Sequence, residues 1–227
     1  MNPLIQSTSE KTVLPLAVVI VVLLITWTVS FNSFDVQKKA RNILITTAPK
    51  AKCGLSRVCP PDHFSFYIVS GAANVIGPKI CFEGEIIMSN VKNNVGSGLN
   101  IVVVNGENGD VETFAYLNMN SGNSDAILEY LKNIDPGMIV LVASFEDVTA
   151  KMTDKIREVF VGMGSTLITS VKRRDNWVFA GGAGRDNTSF FEKKAVNDVS
   201  TNRYGDWPDI VELSGCYPRT LTDGKVL

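Results

Sequence analysis

The residues best able to do chemistry are few, and their spacing excludes most of it. The 227-residue chain has one histidine, His63, which precedes an alternating apolar stretch and reads as a hydrogen-bonded residue at the head of a strand. A zinc site needs three or four nitrogen, sulfur or oxygen ligands, and Cys53-x5-Cys59 with one histidine has the wrong spacing. No G-x-S-x-G elbow, H-E-x-x-H pair or phosphate loop occurs. Gly181-Gly182-Ala183-Gly184 lacks the third glycine of a dinucleotide fingerprint, since Asn187 stands there; the run reads as a flexible turn. Two acids about 5–10 Å apart could hydrolyse a glycoside, and Glu83 and Glu85, two apart in a strand, would share a face; a solvent-facing edge explains them better. Asn105–Asp110 is rich in oxygens but lacks the acidic spacing and bidentate glutamate of a calcium loop. An enzyme is therefore not expected, and neither a cofactor nor a metal.

The other reactive groups are four cysteines, Cys53, Cys59, Cys81 and Cys216, all downstream of an uncharged apolar stretch from Val13 to Val29. An even count after such a leader is the pattern of disulfides made in an oxidising compartment, and the acceptor sequon Asn187-Thr188-Ser189 suits the same compartment. Four cysteines allow three pairings, among which spacing does not choose. At 17 residues the leader is longer than a usual cleaved core and shorter than a comfortable membrane span. Thr28 and Ser30 would suit cleavage before Phe31. The flanking charges, Lys11 before and Lys38, Lys39 and Arg41 after, would instead keep the C-terminal side in the cytosol; cysteines and a sequon outweigh that bias. The expected organisation is a signal peptide or signal anchor over 1–30, a linker or stalk over 31–52 and one globular domain over 53–227. Beyond residue 35 the chain holds 21 basic and 21 acidic residues. That balance argues against nucleic acid or an anionic membrane as partner, leaving membrane contact to the N-terminal segment if it is uncleaved.

These groups must be positioned by short elements. His63–Ser70 alternates as a strand, Lys79–Met88 is a second extended stretch interrupted at Gly84, and Leu99–Val104 and Thr113–Leu117 flank a turn with two Asn-Gly steps, predicting a hairpin. Ser124 is a plausible N-cap for a helix with Ile127, Leu128, Leu131 and Ile134 on one face, stopped by Asp135-Pro136-Gly137. Met138–Ala143 is then a buried strand. Ile156, Val159, Phe160 and Met163 predict a second helix capped at Thr153 and ended by Gly164. Thr166–Val171 and Trp177–Ala180 read as further strands around the charged turn Lys172-Arg173-Arg174.

Several strings resemble one known family. They are Lys52-Cys53-Gly54-Leu55, Cys59-Pro60, Ser70 to Pro78 with Cys81 close behind, Lys92-Asn93-Asn94-Val95-Gly96, Gly98-x-Asn100, Arg174-Asp175-Asn176-Trp177-Val178-Phe179 and Thr201-Asn202-x-Tyr204-x-x-Trp207-Pro208. Together they are similar to the family that includes interleukin-like epithelial–mesenchymal transition inducer and pancreatic-derived factor. The resemblance covers most of residues 52–218 with every cysteine. It implies a secreted, cytokine-like or hormone-like protein of α+β class: one disulfide-stapled globular domain of two β-sheets flanked by short helices, rather than a four-helix bundle. It also implies the pairings Cys53–Cys81 and Cys59–Cys216. At least one member has a further cysteine where this chain has Ala180, so a disulfide-linked dimer loses its most obvious route here, leaving a monomer or a non-covalent dimer.

Physical reading of the strings suggests a binding surface. Ser70–Asn74 has side chains too small to build core, so its backbone packs close to something. Lys92–Gly98 offers many donors and acceptors. Arg174, Asp175 and Asn176 bring a guanidinium, a carboxylate and an amide beside Trp177, although in a strand Trp177 and Phe179 would share a side and belong to the core. Asn74, Lys92, Asn93, Asn94, Asn100, Arg174 and Asp175 form the expected ligand-binding set, with Asn187 as the glycosylation site. The expected function is signalling through a cell-surface receptor, reached by secretion through the endoplasmic reticulum and Golgi; the alternative is a lectin-like module that binds a glycan.

Overall fold

The computed structural model describes residues 18–30, 50–184 and 187–220. Residues 18–30 form the helix α1, within which Thr26 and Thr28 each donate to a carbonyl three residues back. No helix among the described residues is long and apolar enough to cross a membrane. The leader before residue 18 and the part of the expected linker over 31–49, with Phe31 after the expected cut, lie outside the described residues. From Lys50 onward the chain is a separate compact unit.

That unit has two antiparallel sheets. Strands β1 (His63–Val69), β2 (Lys79–Phe82), β3 (Glu85–Met88) and β9 (Glu212–Pro218) form the smaller, in the order β3-β2-β1-β9. Strands β4 (Gly98–Asn105), β5 (Val111–Leu117), β6 (Met138–Phe145), β7 (Asn176–Gly182) and β8 (Glu192–Ala195) form the larger, in the order β5-β4-β6-β7-β8. Helices α2 (Ser124–Lys132) and α3 (Asp154–Gly162) cover the larger sheet. Their Ile127, Leu131, Ile156 and Phe160 pack with Ile101, Val103, Val140, Val142, Trp177 and Phe179. The intervening residues Val102, Val104, Ile139, Leu141, Val178 and Ala180 face the smaller sheet and meet Phe64, Phe66, Ile68, Ile80 and Phe82. Side chains alternate along a strand, so covering both faces requires unbroken apolar runs, which β4, β6 and β7 supply. The α+β fold of two sheets and short helices agrees with the one the resemblance implied.

The connections follow local chemistry. Glu83 and Gly84 both have positive φ, 49° and 89°, as a two-residue hairpin loop of the I′ kind requires. Glu83 thus lies in the turn and Glu85 starts the next strand, so the two do not share a strand face. Glu83 accepts hydrogen bonds from the Ser65 amide at 2.7 Å and its hydroxyl at 3.0 Å and pairs with Lys52, whereas Glu85 faces Lys92 at 3.6 Å. Asn123, one residue earlier than expected, caps α2 by accepting from the amides of Asp125 and Ala126 at 2.8 and 3.2 Å. Thr153 caps α3 and Gly164 follows its end at φ 99°, as the sequence indicates.

Three expectations fail for identifiable reasons. The predicted strand Thr166–Val171 is instead a turn containing the 3-10 helix Ile168–Ser170. Its amides at Thr166 and Leu167 are taken by the Glu192 carboxylate at 2.7 and 3.0 Å and that of Ile168 by the Ser165 hydroxyl at 3.2 Å, leaving no ladder to join. Gly181 and Gly182 are strand residues, not a flexible turn: a β-carbon at Gly181 would meet the Phe179 ring and the Met163 carbonyl, so glycine admits α3 to the sheet. Strands β8 and β9 were not foreseen, the former because Glu192-Lys193-Lys194-Ala195 is charged, as suits an edge.

Two disulfides staple the smaller sheet. Cys53–Cys81 ties the entering segment to β2, and Cys59–Cys216 ties it to edge strand β9 across 157 residues of sequence. These are the pairings the family resemblance implied. In the loop-entropy view so long a closure is worth on the order of 3–5 kcal/mol. We expect Cys216→Ser to lower the denaturation midpoint by a corresponding amount or to abolish recovery of folded protein, measured by chemical unfolding; an unchanged midpoint would remove the staple from the account of stability.

Burial by itself would raise the Glu83 carboxyl, but the Lys52 ammonium and the Ser65 amide and hydroxyl outweigh it and hold the group below the ordinary value of 4.5. A depressed carboxylate stabilises the fold above its unfolded pKa, and that contribution disappears as pH falls through the folded one. Unfolding measured from neutral pH down through that window should show the parent losing more stability than Glu83→Gln, with the two curves converging in acid.

Candidate functional site

Antiparallel pairing brings the ends of β1, β3, β5, β6 and β8 and the starts of β2, β4, β7 and β9 to one end of the two sheets. All seven expected ligand-binding residues fall in this end. Asn74 lies in the β1–β2 loop, Lys92, Asn93 and Asn94 in the β3–β4 loop, Asn100 near the start of β4, and Arg174 and Asp175 just before β7. Their roles within the fold differ.

Three are exposed. Asn74 sits in the turn closed by the Ala72–Ile76 bridge, beyond Ala73 at φ 49°. Lys92 and Asn93 project from the next loop, Asn93 itself at φ 52°. Three others spend their polar atoms on the backbone. Asn94 accepts from the Ser89 amide at 3.0 Å and donates to the Ile87 carbonyl at 2.9 Å. Asn100 is fully buried and brackets Gly96, accepting from its amide at 2.9 Å and donating to its carbonyl at 2.8 Å. Asp175, equally enclosed, accepts from the amides of Lys172 at 2.9 Å and Asn197 at 2.8 Å and meets the Lys194 ammonium at 3.4 Å. Buried polar groups placed this way fix loops, because leaving them unpaired costs about 1–3 kcal/mol each.

Arg174 lies between these cases. It adopts φ 64°, a left-handed conformation unusual for a side chain of its size, and donates to the Asp206 carboxylate at 3.1 Å. Its guanidinium lies 4.7 Å from the centre of the Trp207 ring, a cation–π distance. Asp206 and Trp207 belong to the Thr201–Pro208 string, but no periodicity in that loop announces their meeting with Arg174. Another cluster also escapes sequence reading: Asn120 donates to the Ser97 hydroxyl at 2.7 Å and to Glu146 at 3.1 Å, and Ser97 donates to Glu146 at 2.8 Å. Glu146 is itself at φ 59°. The three residues involved are scattered over three loops.

The small-residue string packs internally. A β-carbon at Gly71 would run into the Phe145 ring, and the buried Ser70 hydroxyl accepts from the Val211 amide at 3.0 Å. Gly96 lies under the Tyr116 ring in the same way. Trp177 and Phe179 are core, fully buried and stacked with centroids 5.5 Å apart. Ala180 is also fully buried. The sequon residue Asn187 is exposed, while the Ser189 hydroxyl is engaged with the Ala180 carbonyl at 2.5 Å. His63 contacts Asp62 through Nδ1 at 2.8 Å, and this hydrogen bond is the main influence that lowers the Asp62 carboxyl below its ordinary value. Among the described residues no three His, Cys, Asp or Glu side chains gather as a metal site.

Comparison with known proteins adds the lineage. The profile of the family described as interleukin-like EMT inducer matches residues 97–185. The chain is 48% identical to Protein FAM3C of Rattus norvegicus over 174 residues, covering 77% of each chain. It is 42% identical to Protein FAM3C of Homo sapiens over 216 residues, covering 90% of this chain and 95% of the other. With Protein FAM3D of Mus musculus the identity is 47% over 173 residues, 76% of this chain and 78% of that one. On the strength of these matches along most of its length, the chain belongs to the interleukin-like EMT inducer family.

Proposed function

We propose that this chain is a secreted signalling ligand that acts by binding a cell-surface partner through the loops at the Arg174 end of its two sheets. The observation that carries the reading is the concentration there of all the polar strings, with Asn74, Lys92 and Asn93 exposed on a frame braced from below by Asn94, Asn100 and Asp175. A braced polar surface limits the ordering cost of association. Membership of a cytokine-like family supports signalling, and the two disulfides suit an oxidising compartment. Binding rather than catalysis is supported by Glu83, Glu85 and His63, each of which is engaged with a different neighbour.

The surface and its bracing separate in mutants. Asn74→Ala combined with Lys92→Glu should weaken binding of labelled protein to cultured cells about tenfold or more, measured by flow cytometry, with an unchanged thermal midpoint. Asn94→Ala and Asn100→Ala should instead destabilise the fold by about 1–3 kcal/mol. Undiminished cell binding by the first variant would place the functional surface elsewhere.

Release into the medium is a separate consequence. Protein recovered from culture medium should begin near Phe31 on N-terminal sequencing, and recovery exclusively from membranes with Met1 intact would show a retained anchor.

A further inference from the structure

The smaller sheet's outer face holds a furrow of about 620 Å³, bordered by Tyr67, Lys79, Ile86, Glu212, Ser214 and the Cys53–Cys81 disulfide. It lies on the sheet face rather than in the loops, reaching the loop end only at Lys79 and Glu212, which start β2 and β9, and register explains how it forms. Ser214, Tyr67, Cys81 and Ile86 make one row across β9, β1, β2 and β3, and Glu212, Val69 and Lys79 make the next. Residues paired across neighbouring strands project from the same face. Lys79 and Glu212 therefore flank Val69 from opposite sides, with their backbones two strand spacings, about 10 Å, apart.

The two charges are not joined. The Lys79 ammonium lies over the Tyr67 ring, 4.9 Å from its centre, while the Glu212 carboxylate on neighbouring β9 acts on the Tyr67 hydroxyl. Tyr67 thus stands between a cation over its face and an anion at its tip. Burial, followed by the Glu212 carboxylate, raises the phenol above its ordinary value, so it remains a neutral donor. Among the described residues neither Lys79 nor Glu212 has an ion-pair partner. The furrow presents an ammonium and a carboxylate at opposite sides, an aromatic surface and a hydroxyl between them, and an apolar wall at Ile86.

We propose that this furrow binds a short extended peptide segment of a partner protein, with a basic side chain directed to Glu212 and an acidic one to Lys79. In an extended segment, side chains two residues apart face the same way at about 7 Å, and long side chains cover the remaining span. Charge-assisted hydrogen bonds at both ends fix the direction of the segment. The volume lies within the range of about 300–1,000 Å³ typical of specific ligand sites. This assignment is independent of the loop-end reading, and either can fail without the other.

The test is titration of the full chain with acetyl-Lys-Ala-Glu-amide, followed by backbone amide shifts, beside acetyl-Gln-Ala-Gln-amide. The charged peptide should shift amides of β1, β2 and β9 saturably, and the neutral one should bind at least about tenfold more weakly. Lys79→Met and Glu212→Gln should each weaken the charged peptide by a similar factor with the unliganded spectrum preserved elsewhere. Should either variant fold poorly, Tyr67→Phe serves instead, and the shifts should then weaken while the ring is retained. Equal binding of both peptides, indifference to the substitutions, saturable shifts confined to the β1–β2 and β3–β4 loops and the segment before β7, or no saturable shift at millimolar peptide would each overturn the proposal.

Discussion

Burial of the larger sheet on both faces is the constraint on which the rest of this protein depends. With helices on one side and the smaller sheet on the other, β4, β6 and β7 have no solvent face, and adjacent residues of each enter different cores. The strands consequently resist polar substitution at almost every position, and the few polar groups admitted are hydrogen-bonded: Asn100 brackets Gly96, and the Ser144 hydroxyl receives the Trp177 amide at 2.8 Å. Surface chemistry is displaced into the loops and onto the outer face of the smaller sheet.

That smaller sheet solves a different problem. Its inner face packs against Val102, Leu141 and Val178, whereas its outer face is covered in part by the segment leading into β1. The disulfides hold this segment on two strands, one interior and one at the edge. Covalent closure thereby takes over part of the work that a packed helix performs for the larger sheet, and leaves a polar furrow beside the Cys53–Cys81 bridge.

Much of this was legible in the sequence wherever periodicity and capping spoke clearly. The strands around His63, Leu99 and Met138 and the helices capped near Ser124 and at Thr153 follow from patterns within single segments. The α+β class, the two-sheet architecture and the disulfide pairing came through resemblance, because pairing depends on contacts over long sequence separations. Thr166–Val171 misled since its apolar alternation is overridden by the distant Glu192 carboxylate. Residues of the loop strings were recognisable as a group, but sequence alone does not separate Lys92, which projects outward, from Asn94 two positions later, whose amide is consumed by Ser89 and Ile87. The meeting of Arg174 with Trp207 was equally hidden, for it joins irregular segments over a gap that no periodicity spans.

The surroundings of the three tryptophans make the molecule its own optical reporter. Trp27 lies in the leader helix, so it is absent from any form trimmed at residue 30. Trp177 is sealed in the core, stacked on Phe179, with its indole N–H donating to Glu192 at 2.7 Å. Trp207 is half-buried beneath the Arg174 guanidinium. Emission from the trimmed protein therefore combines a short-wavelength contribution from the interior with one from the loop end that is sensitive to the nearby cation, so global unfolding and local events at the loops carry separable spectral signatures without any attached dye.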